Sequence, residues 1–216
     1  MNEENFVYIP MGTMALEGIL DIPKKATGIV LFAHGSGSSR FSSRNTFVAK
    51  ILQRAHFATL LVDLLTEKED EVYDTRFNII LLTERLIAIT HWLQIHPKTK
   101  DFSIGLFGAS TGAAAALKAA AALGPQIKAV VSRGGRPDLA DEDLESVASP
   151  ALLIVGGKDY GVIELNEQAY QKLACTKKLA IVEGATHLFE EPGALEEVAR
   201  LATNWFKKYL TERGKE

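Results

Sequence analysis

Short apolar runs and helix-period stretches alternate along almost the whole chain. Gly28–Ala33, read Gly-Ile-Val-Leu-Phe-Ala, is continuously apolar, the pattern of a strand covered on both faces. Phe57–Leu65, Phe102–Phe107, Ile127–Ser132, Ala151–Val155 and Leu179–Val182 predict further strands of strand-like length. Ahead of them, Phe6–Ile9 and Met14–Ile22 predict an antiparallel pair turned near Met11-Gly12. Between the strands the apolar residues fall at helical spacing. Ser43–His56 carries Phe47, Ile51, Leu52 and Ala55 on one face. Arg76–Ile95 carries Ile79, Ile80, Leu82, Leu86, Ile89 and Leu93, and Pro97 ends it because the residue before a proline disfavours helical geometry. Ser110–Leu123 is a helix closed by Gly124-Pro125. Helices at Asp141–Val147 and Val162–Leu173 follow, and a last one runs from Pro192 to Tyr209, proline being at home in a first turn.

This alternation predicts an α/β fold, a doubly wound and mostly parallel sheet with helices on both faces. No linker, composition break or repeat divides the chain, so the expectation is one domain over residues 1–216. Only Thr66–Thr75 and Gly134–Glu145 are long enough to cover a site, which leaves no room for a large cap.

Charge and cysteine content remove several classes of function. Lys and Arg number 24 against 27 Asp and Glu, a net charge of −3, and no run of five or six basic residues marks a nucleic-acid binder. The single cysteine, Cys175, can form neither an internal disulfide nor a Cys-x-x-Cys zinc site, and is read as a buried or helix-end thiol. The acidic start, Met1 to Asn5, is unlike a secretory signal, and no apolar run reaches the roughly 18 residues of a membrane span. The expectation is a cytoplasmic protein, a monomer or small homo-oligomer, with no nucleic-acid or membrane partner and no metal or cofactor.

The sharpest chemical signal is Gly108-Ala109-Ser110-Thr111-Gly112, set between a predicted strand and a predicted helix. A serine on such a turn needs small residues two before and two after it, and the turn pushes its hydroxyl into open space. The helix N-terminus behind it favours developing negative charge. A serine nucleophile needs a base, and the base needs an orienting carboxylate, in the chain order Ser, acid, His. Asp159 follows the strand Ala151–Val155 and His187 follows the strand Leu179–Val182, both at the strand ends where open α/β sheets place their sites. Ser110, Asp159 and His187 are therefore the expected triad, with Asp138 a competing acid. Asp63 is read as serving a loop turn, His34 as structural, and His56, His91 and His96 as surface groups.

The loop His34-Gly35-Ser36-Gly37-Ser38-Ser39 is the second signal. A tetrahedral intermediate needs backbone N–H groups aimed at its oxyanion, and the expected donors are those of Thr111 and Ser36. The bland alternative is a flexible turn or a phosphate cradle, but neither Gly-x-x-x-x-Gly-Lys-Ser/Thr nor Gly-x-Gly-x-x-Gly is present there. Arg133, following a strand at the catalytic end, or Arg40, following the His34–Ser39 loop, is expected to contact an acidic substrate group; a solvated or ion-paired arginine is the alternative.

Through His34-Gly35-Ser36-Gly37-Ser38, Gly108–Gly112, Gly156-Gly157-Lys158-Asp159 and Gly184-Ala185-Thr186-His187, the chain resembles an α/β-hydrolase of the dienelactone-hydrolase-like branch. The resemblance spans residues 5 to 210 and implies a sheet of about eight strands, metal-free ester or lactone hydrolysis, and the triad and oxyanion donors already named. Dienelactone hydrolases proper carry cysteine where this chain has Ser110. Some similar proteins are joined to a phosphoribosyltransferase domain, yet no phosphoribosyl-binding signature occurs here. The expected function is a serine hydrolase cleaving a small-molecule ester or lactone through an acyl-enzyme on Ser110. The alternatives are a thioesterase or peptidase with the same triad, or a non-catalytic ligand-binding protein of the same fold.

Overall fold

A computed structural model describes residues 5–211. Strands β1 (Phe6–Met11) and β2 (Met14–Asp21) form the expected antiparallel pair. They are followed by β3 (Gly28–Ala33), β4 (Phe57–Val62), β5 (Ser103–Ala109), β6 (Ile127–Arg133), β7 (Ala151–Gly156) and β8 (Lys177–Val182). All join one 8-stranded sheet in the order β1-β2-β4-β3-β5-β6-β7-β8, with β3 to β8 parallel. The predicted α/β architecture is thus the one observed.

Helices cover both faces. One core joins α3 (Ile79–Ile95), α4 (Thr111–Leu123) and α5 (Tyr160–Lys172) to the sheet; the other joins α1 (Ser43–Arg54) and α6 (Ala194–Leu210). Double coverage is why β3, β4 and β7 are buried at every position. Close approach is built in with small side chains: a Cβ on Gly105 would lie 2.7 Å from the Phe206 ring of α6. None of the described helices is long and apolar enough to cross a membrane.

The strand order reverses at β3, which pairs with β4 on one side and β5 on the other. Ligands of open α/β sheets bind at such a switch point, beyond the strands' carboxyl ends. Here Ala33 pairs with Gly108, so the loop after β3 and the turn after β5 leave the sheet side by side.

Several boundaries differ from the sequence reading. The helix expected from Arg76 starts at Ile79, because Asn78 caps it by accepting the Leu81 N–H at 3.0 Å; Tyr73–Phe77 is a 3-10 turn. Thr66 and Glu69 form a capping box that opens a short unforeseen helix, α2 (Glu67–Asp70). The helix expected at Asp141–Val147 is a kinked 3-10 segment, Pro137–Ser146, broken at Ala140. The last helix begins after Gly193, not at Pro192, because Gly193 takes a left-handed conformation (φ 82°) that turns the chain into α6.

Candidate active site

Ser110 stands on the turn between β5 and α4 with φ 52° and ψ −121°, a region that side-chain-bearing residues rarely enter. The surroundings hold it there. Its N–H donates to the Arg133 carbonyl on β6 (3.2 Å), and its own carbonyl accepts from Ala113 (3.0 Å) and Arg136 (3.2 Å). The flanking glycines are sterically required. A Cβ on Gly108 would sit 2.4 Å from Ala113 Cα, and one on Gly112 would sit 2.4 Å from the His34 carbonyl oxygen. Strain kept at a serine and fixed from both sides is the mark of a functional turn.

Asp159 and His187 come together from adjacent loops. The Lys158 N–H donates to the Ala185 carbonyl at 2.8 Å, stitching the β7 loop to the β8 loop. A Cβ on Gly156 would strike the carbonyl oxygens of Ala185 (2.5 Å) and Thr186 (2.6 Å), so only glycine lets the loops close this tightly. Asp159 occupies the cap position of α5 but makes no capping bond there. Its Oδ2 meets His187 Nδ1 at 2.6 Å. Asp138, the competing acid, is held by Arg136 through Nε and Nη2 at 2.8 and 2.7 Å.

Ser110 and His187 border one cavity of about 260 Å³, together with Ser36, Asn45, Arg44 and Arg133. Among the described residues no hydrogen bond joins the serine hydroxyl to the imidazole. Such contacts often tighten only when substrate is bound. Gly134 (φ 52°) packs against the imidazole: a Cβ there would lie 3.4 Å from His187 Cε1 and 3.5 Å from Nδ1.

The loop after β3 is ordered by His34, as its structural reading expected. His34 is 7% exposed, accepts the Leu64 N–H at Nε2 (3.1 Å), and therefore donates from Nδ1 to the Gly35 carbonyl (2.9 Å). The Ser36 N–H, expected as an oxyanion donor, donates to Thr111 Oγ1 at 2.9 Å. The Thr111 N–H opens α4 and lies beyond the reach of the helix's own carbonyls.

The two arginines separate. Arg40 is ion-paired to Glu17 and Asp63, and its backbone N–H also donates to Asp63. It lines a neighbouring cavity of about 530 Å³ that does not include Ser110. Arg40 is accordingly a structural residue, and Asp63 serves this pair. Arg133 faces the nucleophile's cavity. Its side chain forms no hydrogen bond or ion pair among the described residues, and its guanidinium carbon lies 5.8 Å from the centre of the Phe189 ring. Burial, and then repulsion from Arg44, pull the Arg133 guanidinium down to about 10, below the ordinary arginine range. Asn45 and Gly134 were missed by the sequence reading, since both act through tertiary packing that no local pattern records. Cys175 is half-buried, and burial pushes its thiol pKa up, away from a reactive thiolate.

The comparisons with known proteins agree with this geometry. Two curated relatives from Mycobacterium tuberculosis strains, provisionally named phosphoribosyl transferases, are each 53% identical over 208 residues. That match covers 96% of this chain but 47% of theirs, so the chain spans about half the length of those relatives. A solved dienelactone hydrolase from Anabaena variabilis is 55% identical with a TM-score of 0.93, covering 95% of this chain and 97% of that one. An alpha-beta serine hydrolase homologue from Coxiella burnetii shares the fold at a TM-score of 0.78 and 22% identity, covering 94% of this chain and 98% of that one. The family described as the dienelactone hydrolase family matches residues 16–210, from within β2 to the end of α6. That span contains each loop that shapes the Ser110 cavity, and the chain belongs to the dienelactone hydrolase family.

Proposed function

We propose that this hydrolase is a serine esterase or lactonase that works through an acyl-enzyme on Ser110. The observation that carries the reading is the 2.6 Å contact of His187 Nδ1 with Asp159 Oδ2 beside a strained serine on a strand-to-helix turn. Asp159 holds the imidazole with its proton on Nδ1, which leaves Nε2 as the base. Ser110 Oγ attacks the ester carbonyl as His187 Nε2 takes its proton. The tetrahedral oxyanion receives the Thr111 N–H and, being charged, takes over the Ser36 N–H from the neutral Thr111 hydroxyl. Collapse breaks the C–O bond to the alcohol, which leaves with the proton from His187. Water, deprotonated by the same imidazole, then splits the acyl–Ser110 bond and releases the acid. In a lactone the freed alcohol stays joined to the acyl group through the carbon skeleton, and the second step releases both as one hydroxy acid.

The name of the mycobacterial relatives does not enter this proposal, because this chain matches only 47% of their length and carries no phosphoribosyl-binding signature. The test is labelling with a fluorophosphonate, read by intact mass. Ser110 Oγ displaces fluoride from phosphorus, so one adduct is expected on the wild type and none on Ser110→Ala. An adduct that persists on Ser110→Ala, or folded wild type that stays unlabelled, overturns the reading.

A further inference from the structure

Arg133-Gly134-Gly135-Arg136, at the end of β6, grips Ser110 from both sides through the Arg133 carbonyl and the Arg136 N–H, each at 3.2 Å. Gly134 in the same run lies against the His187 imidazole. A Cβ on Gly135 would sit 2.7 Å from Ala113 Cβ, so the loop also presses on α4. The placing of this one loop therefore bears on both partners of a proton transfer. The Gly134 N–H ties it to the Ile154 carbonyl of β7 at 2.8 Å. Farther out, the Gly135 carbonyl accepts from Asn166 Nδ2 at 3.0 Å. Asn166 is 0% exposed and stands on α5, the helix that Asp159 heads. Its other Nδ2 hydrogen goes to the Val162 carbonyl one turn earlier, at 2.8 Å. Turning the carboxamide over would set Oδ1 against two carbonyl oxygens, so the hydrogen bonds fix its orientation. Oδ1 is left with no partner among the described residues. Burying an orphaned acceptor is unfavourable, and an apolar side chain at this position would avoid it.

We propose that Asn166 is a positioning residue: through the Gly135 carbonyl it locks the loop that holds Ser110 and covers His187 to the helix headed by Asp159. The proposal rests on the esterase reading for its effect on rate, while the tether itself rests on the hydrogen bonds alone. Asp159 and His187 are joined directly, by their 2.6 Å contact and by the Lys158 N–H to the Ala185 carbonyl. Ser110 is not joined to them in that way, since no hydrogen bond links its hydroxyl to the imidazole among the described residues. The alignment of nucleophile and base thus depends on the scaffold between them. Asn166 lies two helical turns from Asp159, about 10 Å along α5, and its bond to Gly135 crosses from that helix to the nucleophile's side. Asn166 and Ala169 are the two buried residues of α5, so little else pins this part of the helix inward. A misplacement of about 1 Å between reacting groups costs up to about 100-fold in rate. Asn166 moves no proton and touches no reacting atom; it acts through Gly135.

The experiment separates the tether from the helix. Asn166→Thr keeps a hydroxyl for the Val162 carbonyl, as Thr83 and Thr90 already bond four residues back at 2.7 and 2.8 Å, but is too short to reach Gly135. The rate of fluorophosphonate labelling at Ser110, and kcat and KM for p-nitrophenyl butyrate, are measured well below the melting temperature. Each kcat is counted per Ser110 that labels to completion, so an unfolded fraction does not enter. The expected result is a labelling rate and a kcat about 10- to 100-fold lower in Asn166→Thr, with KM within about twofold. The Nδ1 proton of His187, assigned in 1H–15N spectra by its loss in His187→Gln, is expected to shift or broaden in Asn166→Thr. Asn166→Leu, which supplies apolar packing, decides by the same measures if the Thr variant does not fold. A folded variant that labels within twofold of the wild-type rate overturns the proposal, whatever its melting temperature. If wild-type Ser110 itself resists the fluorophosphonate, the esterase reading falls and the resonance decides: moved in Asn166→Thr, the tether stands; unmoved, it falls too.

Discussion

The Ser36 N–H donates to the Thr111 hydroxyl at 2.9 Å, tying the loop after β3 to the first residue of the helix behind the nucleophile. The bond spans the switch point of the sheet, and Thr111 is 4% exposed. In the proposed mechanism it sets the direction of an amide that the oxyanion takes over. Thr111→Val keeps the shape but removes the acceptor, leaving a part-buried N–H unpaired. A loss of about 1 kcal/mol in stability is expected. The larger effect falls on kcat, about tenfold lower with KM little changed, because the interaction matters most in the transition state. Thr111→Ser restores both. Steady-state kinetics and denaturant melts of the pair check this; a Val variant with wild-type kcat contradicts it.

Asp159→Asn keeps the size of the side chain but can reverse the proton arrangement on His187. The amide N–H donates to Nδ1, which moves the ring proton to Nε2 and removes the base. A fall in kcat of about 10⁴-fold is expected for the closest mechanistic precedent, with the fold intact. Stopped assays beside circular dichroism measure both, and a loss under tenfold would place the orienting role elsewhere.

Gly134→Ala tests how finely the imidazole is placed. The new methyl carbon lies 3.3 Å from the His187 carbonyl oxygen and 3.4 Å from Cε1, closer than most Cβ contacts, at a φ of 52°. The left-handed backbone alone costs about 1–2 kcal/mol for alanine. The expected outcome is a lower melting temperature together with a kcat reduced by about tenfold or more as the ring tilts from Asp159. Unchanged kcat with lowered stability would mean that the contact is only structural.

The positions of the strands, and the placing of Ser110, Asp159 and His187 at strand ends, were legible because each has a local signature. Continuous apolar runs identify doubly covered strands, and glycines bracket Ser110 at a spacing that only a tight turn requires. What was illegible depends on partners far away in sequence. Ser36 finds Thr111 75 residues later, a partner for its amide that no local pattern shows. Arg40, beyond the loop after β3, and Arg133, at the end of β6, look equally placed in sequence, yet Asp63 and Glu17 neutralise one and, among the described residues, no carboxylate pairs with the other. The capping box of Thr66 and Glu69 was in plain view, but a four-residue helix carries no hydrophobic period to draw attention to it.

Arg133 should weaken the fold that contains it. Burial and the neighbouring Arg44 hold its guanidinium at about 10, below the ordinary arginine range, so the folded chain binds this proton less tightly than the unfolded chain. The penalty is therefore complete well below pH 10. It is relieved as pH rises past about 10, where the folded form sheds the proton first. Arg133→Met replaces the cation with an apolar side chain of similar length against Phe189. At pH 7 it is expected to stabilise the protein by about 1–3 kcal/mol, the range seen when buried charge gives way to apolar packing. The gain should shrink by pH 11, and other titrating groups cancel because each comparison is made between the two proteins at one pH. Denaturant unfolding of wild type and Arg133→Met at pH 7, 9 and 11 measures the difference. A Met variant less stable at pH 7 would mean that the guanidinium's contacts outweigh its desolvation.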